Sequence, residues 1–511
     1  MTFTLIGPVP GFLKELVDVV RIFLPEAQEV REGSELRVVI TESVRGTQRQ
    51  CQANLTGVLS GSHSLSGVTQ PDPLADKRFH KRQQKLAVYF ALKEATGMSP
   101  PWGSLTGIRP TRLVYAEMGK GLSLEAAARQ VRETFDLRPE KAALLYDVVA
   151  TQRNIRQPDE MDVGLYIGIP FCETRCRYCS FISCQVGDGR ILPGYVRALV
   201  REMGAVYRMM QAYALKVRAV YVGGGTPTAL PPALLEDVLA AAAPFIAGAG
   251  EVTVEAGRPD SISREKLRLI ADHGATRISI NPQTMHDETL QLIGRAHTQA
   301  QTEAAYQLAR SMGFGHINMD LIAGLPGEDL DMFGRTLAWA KSIAPESLTV
   351  HTLSLKRASD MYRFGEPVPQ EADVGDMVRL ARETARDMGL NPYYLYRQKH
   401  MAGNLENVGY AKRGHECLYN MDMMEDTGSV LALGAGGISK HVYGKGARIQ
   451  RAPNVKNPED YITRVDEMIQ RKAALLKGQG KGIRRPSLAA DQPDVLALEG
   501  EDQGKASVEQ P

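Results

Sequence analysis

Residues 164–181 read GLYIGIPFCETRCRYCSF. The apolar run GLYIGI, closed by Pro170, has the composition and length of a buried strand. Working outward from it, further short β-branched or apolar runs alternate with longer helical stretches. AVYVGG, EVTVEA, TRISINP, HINMDLIAG and SLTVHTLSL read as strands; PGYVRALVREMGAVYRMMQAY, PALLEDVLAAAAPFI, SREKLRLIADHG, TEAAYQLARSMG and DMFGRTLAWAKSI read as the helices between them. Each helix is long enough to cross back over a sheet, so the pattern is that of repeated βα units building parallel strands. Six strands predict an α/β fold with an incomplete parallel (βα)6 barrel over 160–370. In such folds ligands lie at the C-terminal strand edges, so residues there are read as functional first.

The loop after GLYIGI carries Cys172, Cys176 and Cys179 in a C-x3-C-x2-C pattern. Of six cysteines, at 51, 172, 176, 179, 184 and 417, four fall within thirteen consecutive positions, unlike a dispersed disulfide framework. Three close thiolates can hold three irons of a [4Fe–4S] cluster and leave the fourth open to chelate an amino and a carboxylate group. Zinc with Cys184 as fourth ligand is the competing reading. Cys51 and Cys417 stand alone and read as small buried hydrophobes. YVGGGTPT at 221–228 follows the second strand, where small residues let backbone amides approach a ligand.

The flanks read differently. Residues 1–155 mix strand patterns (LRVVITES, RQCQANLTGVLS) with helical ones and form an expected N-terminal α/β module. Within it, SPPWGSLTGIRPTRL holds Trp102, Arg109 and Arg112, either an anion-binding loop or, as preferred, a structural turn. Residues 371–475 read as a smaller C-terminal α+β region that closes the barrel mouth, and 476–511, low in aromatics and without periodicity, as a disordered tail. The chain has 61 basic and 59 acidic residues, a net charge of +2, so no global field favours nucleic acid or a membrane surface. With no long apolar run and no leader-like start, a cytoplasmic protein is expected.

The cysteine loop with Tyr166, the GGGTPT turn, Glu255, Gln283 in ISINPQT, GRAHT at 294–298, MDLIAGLPGE around Asp320 and LGAGGISK near the end together resemble one family. It is the radical S-adenosylmethionine (SAM) superfamily, specifically its oxygen-independent coproporphyrinogen III oxidase (dehydrogenase) group, in the HemZ-like branch. The likeness runs from about Tyr166 to Lys440. It implies a [4Fe–4S] cluster on Cys172, Cys176 and Cys179, with Tyr178 packed on the adenine and Gly224, Gly225 and Thr226 receiving the methionyl end of SAM. Tyr166, Glu255, Gln283, Arg295 and Asp320 match further positions of the SAM pocket. Phe181 stands where the well-known oxidase has another cysteine, so one SAM is expected and a second is left open.

The implied reaction is oxidative decarboxylation of two propionates of coproporphyrinogen III to vinyls, giving protoporphyrinogen IX in porphyrin and haem biosynthesis, with an electron donor and an acceptor that the sequence does not identify. A polyanionic tetrapyrrole calls for cations and aromatic faces. PYYLYRQKH alternates as a strand does, with Tyr394 and Tyr396 on one side and Arg397 and Lys399 on the other, and SLKRAS offers Lys356 and Arg357 beyond the last barrel strand. Two other readings stay open: a haem-trafficking relative, with His415 and Cys417 in HECLYN as haem ligands, and a radical SAM methyltransferase.

Overall fold

The structure, a computed structural model, describes residues 1–7, 11–107, 109–181, 183–354, 356, 359–364, 371–398, 401–444 and 448–477. The expected tail therefore lies, from 478 on, outside the described residues, as do Arg357 and Lys399. The chain opens with β1 (Thr2–Ile6), α1 (Leu13–Phe23), β2 (Gln28–Glu29), β3 (Leu36–Arg45), β4 (Gln48–Gly57), β5 (Gly61–Val68) and α2 (Pro73–Thr96). The strands form a sheet of order β2-β1-β3-β4-β5. Strict alternation on β4 sends Cys51, Ala53 and Leu55 inward, where they meet Leu16 and Val20 of α1 and Val88 and Leu92 of α2. Cys51 is wholly buried in that core, which suits a small hydrophobe.

Three further helices, α3 (Thr111–Met118), α4 (Leu124–Phe135) and α5 (Pro139–Gln152), belong to a different core. Leu144, Leu145, Val148 and Val149 recur at helical spacing on α5, and this stripe packs with the barrel's side chains and not with those of the first sheet. The first 155 residues are thus divided between two cores.

The barrel strands are β6 (Asp162–Ile169), β9 (Lys216–Gly224), β10 (Val252–Gly257), β11 (Arg277–Ile280), β12 (Ile317–Ala323) and β13 (Ser347–Thr352). Two-residue strands β7 (Phe171–Cys172) and β8 (Cys184–Gln185) lie in the cysteine loop. All six barrel strands are parallel and adjacent in chain order, joined by α6 (Leu192–Ala212), α7 (Pro232–Ile246), α8 (Arg264–Asp272), α9 (Asp287–Leu292), α10 (Gln299–Ser311) and α11 (Leu330–Ile343). The sheet stays open. After α12 (Asp360–Arg363) and α13 (Glu371–Asp387), antiparallel β14 (Asn391–Tyr396) and β15 (Asn407–Ala411) extend it beyond β13. After α14 (Leu418–Glu425), β16 (Ser429–Leu433) pairs parallel with β6, and β17 (Ile438–Tyr443) and β18 (Arg448–Pro453) follow, making eleven strands. Helices α15 (Pro458–Thr463) and α16 (Val465–Lys477) dock on α6, where buried Lys472 Nζ donates to Glu202 Oε1 at 2.7 Å. No helix among the described residues is long and apolar enough to cross a membrane.

Alternation along these strands creates the site. Leu165, Ile167, Val220, Val222, Val254, Ile278, Met319 and Val350 face the helices and form the main core. The residues between them face inward and fall into lateral rows fixed by register. Tyr166 is level with Tyr221, Tyr221 with Thr253, and Thr253 with Arg277. Glu255 is level with Ser279 and Ser279 with Asn318, while Asp320 is level with Thr349, which shares Gly409 with Tyr394. Such rows are the filling layers of a βα barrel, and here the layers are polar and aromatic, so they enclose a cavity.

Candidate active site

A cavity of about 430 Å³ takes in all of those rows and reaches the C-terminal strand edges, where the loop after β6 lines it with Cys172, Cys176 and Cys179. Cys184 N donates to Pro170 O at 2.8 Å and Val186 N to Cys172 O at 3.0 Å, closing the loop at its base. Its middle is held by Arg177, whose N–H donates to Ile293 O at 3.0 Å and whose carbonyl accepts from Met361 N at 3.1 Å. The three thiols are free, with Thr226 Oγ1 3.6 Å from Cys172 Sγ and Arg295 Nη1 3.9 Å from Cys176 Sγ. Burial raises the Cys172 and Cys179 thiols above their usual range, so a metal that binds them displaces their protons. Cys184 is exposed and does not line the cavity.

The glycine turn rests directly on this loop. Gly225 N donates to Ile169 O at 2.8 Å and Thr226 N to Phe171 O at 2.7 Å. A Cβ on Gly225 would stand 2.5 Å from Phe171 O and 2.8 Å from Cys172 Sγ, and Gly224 has φ +125, a conformation L side chains avoid. The turn's small residues are therefore a steric requirement of the loop packing.

Behind the turn, Glu255 Oε1 accepts from the Tyr221 hydroxyl and Oε2 from Gly224 N at 3.3 Å. Burial pushes the Glu255 carboxyl up to about 7, against the Tyr221 hydrogen bond and with the help of the Asp320 charge. Asp320 goes the other way. Burial works to raise it, yet its carboxyl is held below the usual range by His351, Nε2 at 3.7 Å, and by Asn318, whose Nδ2 donates at 2.8 Å. Asn281 Oδ1, Gln283 Oε1 and Ser354 Oγ line the cavity, buried and without a hydrogen-bond partner among the described residues. Arg295 is already engaged with the Tyr178 hydroxyl at 3.1 Å and Asn281 O at 2.5 Å.

The remaining wall is aromatic. Tyr221 and Tyr419 stack with centroids 4.6 Å apart, Tyr166 stacks at 6.1 Å from Tyr419, and Tyr394 lies parallel to Tyr396 at 6.5 Å. At the floor Arg277 Nη1 is 3.2 Å from Glu251 Oε2, and the same carboxylate accepts from the buried Cys417 thiol at 3.2 Å.

All twelve residues expected at the cluster and SAM line this one cavity, and Tyr394, Tyr396 and Lys356 join them. Arg397 does not, and the expected propionate clamp is corrected. Its strand face is covered by the N-terminal segment, so the guanidinium is buried, donating to Leu105 O at 2.6 Å and Asn404 Oδ1 at 2.6 Å and lying 5.1 Å from the Trp102 ring centroid. That segment is a structural turn: Trp102 Nε1 donates to Glu406 Oε2 at 2.7 Å, and Arg109 Nη1 pairs with Asp426 at 2.7 Å. His415 and Cys417 open on different cavities. Tyr221, Tyr419, His351, Asn281 and Asn318 were missed. Tyr221 was within reach, being level with Tyr166 once the two strands are aligned.

A family model described as the Radical SAM superfamily matches residues 166–340. The "Oxygen-independent coproporphyrinogen-III oxidase-like protein HemZ" of Bacillus subtilis is 36% identical over 479 residues, covering 91% of this chain and 95% of that one. The chain belongs to the radical SAM superfamily. It is of the HemZ-like branch within it. This radical SAM chain is also similar to "Heme chaperone HemW" of B. subtilis, 29% identical over 58% of this chain and 75% of that one. A solved "Coproporphyrinogen III oxidase (HemN) from Escherichia coli" covers 65% of this chain and 74% of its own length, at 21% identity and a TM-score of 0.47.

Radical SAM membership implies a [4Fe–4S] cluster and SAM. The residues fit both. Three free thiols on one loop are donors of the kind such a cluster takes, and Cys184 is exposed outside the cavity. The unpartnered Asn281, Gln283 and Ser354 oxygens, beside the Glu255 and Asp320 carboxylates, are acceptors suited to an ammonium and to ribose hydroxyls.

Proposed function

We propose that this protein oxidatively decarboxylates two propionates of coproporphyrinogen III to vinyls, giving protoporphyrinogen IX. The observation that carries this reading is the continuity of one cavity from the cysteine loop to a wall of five tyrosines, Tyr166, Tyr221, Tyr394, Tyr396 and Tyr419. Offset aromatic faces are the surface a flexible tetrapyrrole packs against, and the wall shares its cavity with the three thiols. When bound, the cluster and SAM supply the one-electron chemistry that removes a hydrogen atom from an unactivated carbon. The chain's own residues do the rest. Cys172, Cys176 and Cys179 hold the cluster, while Gly224, Gly225, Thr226, Glu255, Gln283, Arg295, Asp320, Tyr166 and Tyr178 orient SAM. Each vinyl formed releases CO2 and one electron, which an external acceptor takes. The similarity to the coproporphyrinogen-III oxidase-like HemZ supports the substrate class.

The test is anaerobic incubation of cluster-reconstituted protein with SAM, a reductant, an electron acceptor and coproporphyrinogen III, read by mass spectrometry. Protoporphyrinogen IX with 5′-deoxyadenosine is the expected result. A methylated product, or tight haem binding with no turnover, would overturn the proposal.

A further inference from the structure

With Arg397 turned away, the cavity's arginines are occupied by the protein itself. Arg258 is bound to Asp260 at 2.6 Å and to Thr174, Arg277 to Glu251 at 3.2 Å, and Arg295 to Tyr178 and Asn281. Lys356 is exposed at the end of the barrel strands. His351 is the one imidazole among the described residues lining the cavity. It comes from β13, and both its ring nitrogens have loose partners: Nε2 lies 3.7 Å from Asp320 Oδ2, and Nδ1 3.4 Å from the Tyr396 hydroxyl. Its side chain is 28% exposed. Full hydrogen bonds are shorter, so an imidazolium here has N–H capacity to spare.

We propose that His351 binds a propionate carboxylate of the substrate, its ring set between the Asp320 carboxylate and the Tyr396 hydroxyl. This rests on the porphyrinogen reading above. The placement favours it, because Tyr394 and Tyr396 form a parallel ring platform beside the imidazole, so an aromatic face and a hydrogen-bonding ring are presented together. The groups facing His351 are Asp320 from β12, Tyr396 from β14 and, through its charge, Glu255 from β10. None of them is cationic.

The experiment uses the full chain with its cluster and coproporphyrin III, the fluorescent oxidised form of the substrate, whose binding needs no turnover. His351→Gln should bind coproporphyrin about 10-fold more weakly than the wild type, and His351→Lys should restore tight binding. Thermal melts of the three proteins, run in parallel, should coincide and report intact folding. A His351→Gln protein that keeps wild-type affinity overturns the inference alone. Absence of coproporphyrin binding by the wild type overturns the porphyrinogen reading itself.

Discussion

Glu255 offers a stability measurement that needs neither cluster nor substrate. In the unfolded chain its carboxyl ionises near 4.5, whereas burial in the folded cavity holds it to about 7. Between those values the folded state binds more protons than the unfolded state, so Glu255 makes the apoprotein less stable as pH rises from 4.5 to about 7. The full shift corresponds to about 3 kcal/mol, a ceiling that cavity water lowers to about 1–2 kcal/mol. Glu255→Gln keeps the shape and removes the ionisation. The variant apoprotein should therefore gain on the wild type with rising pH, by about 1–2 °C in Tm for a chain of this size. Reducing, metal-free thermal melts at pH 5 and pH 8 make the comparison. SAM binding should move oppositely: wild-type affinity increases towards pH 7 as the carboxylate forms, and Glu255→Gln binds weakly at every pH. A Tm difference between the two proteins that is the same at pH 5 and pH 8 would refute the assignment of a buried, proton-holding Glu255.

Three further outcomes are expected. Arg397→Ala should destabilise the protein by about 2–4 kcal/mol in a denaturant melt, because it strands the Leu105 and Asn404 oxygens, yet leave coproporphyrin affinity of the folded fraction unchanged. Cys184→Ser should keep its iron and its visible absorbance after reconstitution while Cys176→Ser loses both; equal losses would return Cys184 to the ligand set. Gly225→Ala, whose new methyl would collide with the Phe171 carbonyl and the Cys172 sulfur, should abolish cluster assembly at near-normal protein yield, as judged by iron content.

The cysteine loop could be read from sequence because its chemistry is local: three thiols, a strand before them and a glycine turn after the next strand. Glu255 and Asp320 are legible through their resemblance to the family's motifs, and the parallel strands bring both to the cavity that the cysteine loop lines. The aromatic wall needed more. Tyr419 arrives from a helix after the barrel, and its stacking on Tyr221 depends on where α14 lands. The Arg397 expectation failed for a definite reason. Alternation correctly separated Arg397 from Tyr394 and Tyr396, but it does not say which face of a strand is covered. Here the cover comes from Leu105 and Trp102, almost 300 positions earlier in the chain.

That distant cover has its own consequence for specificity. Trp102 and Lys141 grip Glu406 beside β15, and Thr111 and Gln152 grip Glu425 at the end of α14. Gln152 also holds the carbonyl of Tyr393 on β14. The elements so gripped carry Tyr394, Tyr396 and Tyr419, whereas Glu255 and the cysteine loop sit on β10 and the loop after β6. Changes in the N-terminal helices therefore reach the tyrosine wall through direct hydrogen bonds to its supporting elements, and reach Glu255 only through the Tyr419–Tyr221 stack. Variation there can reshape the tyrosine wall from positions far in sequence from the cysteine loop.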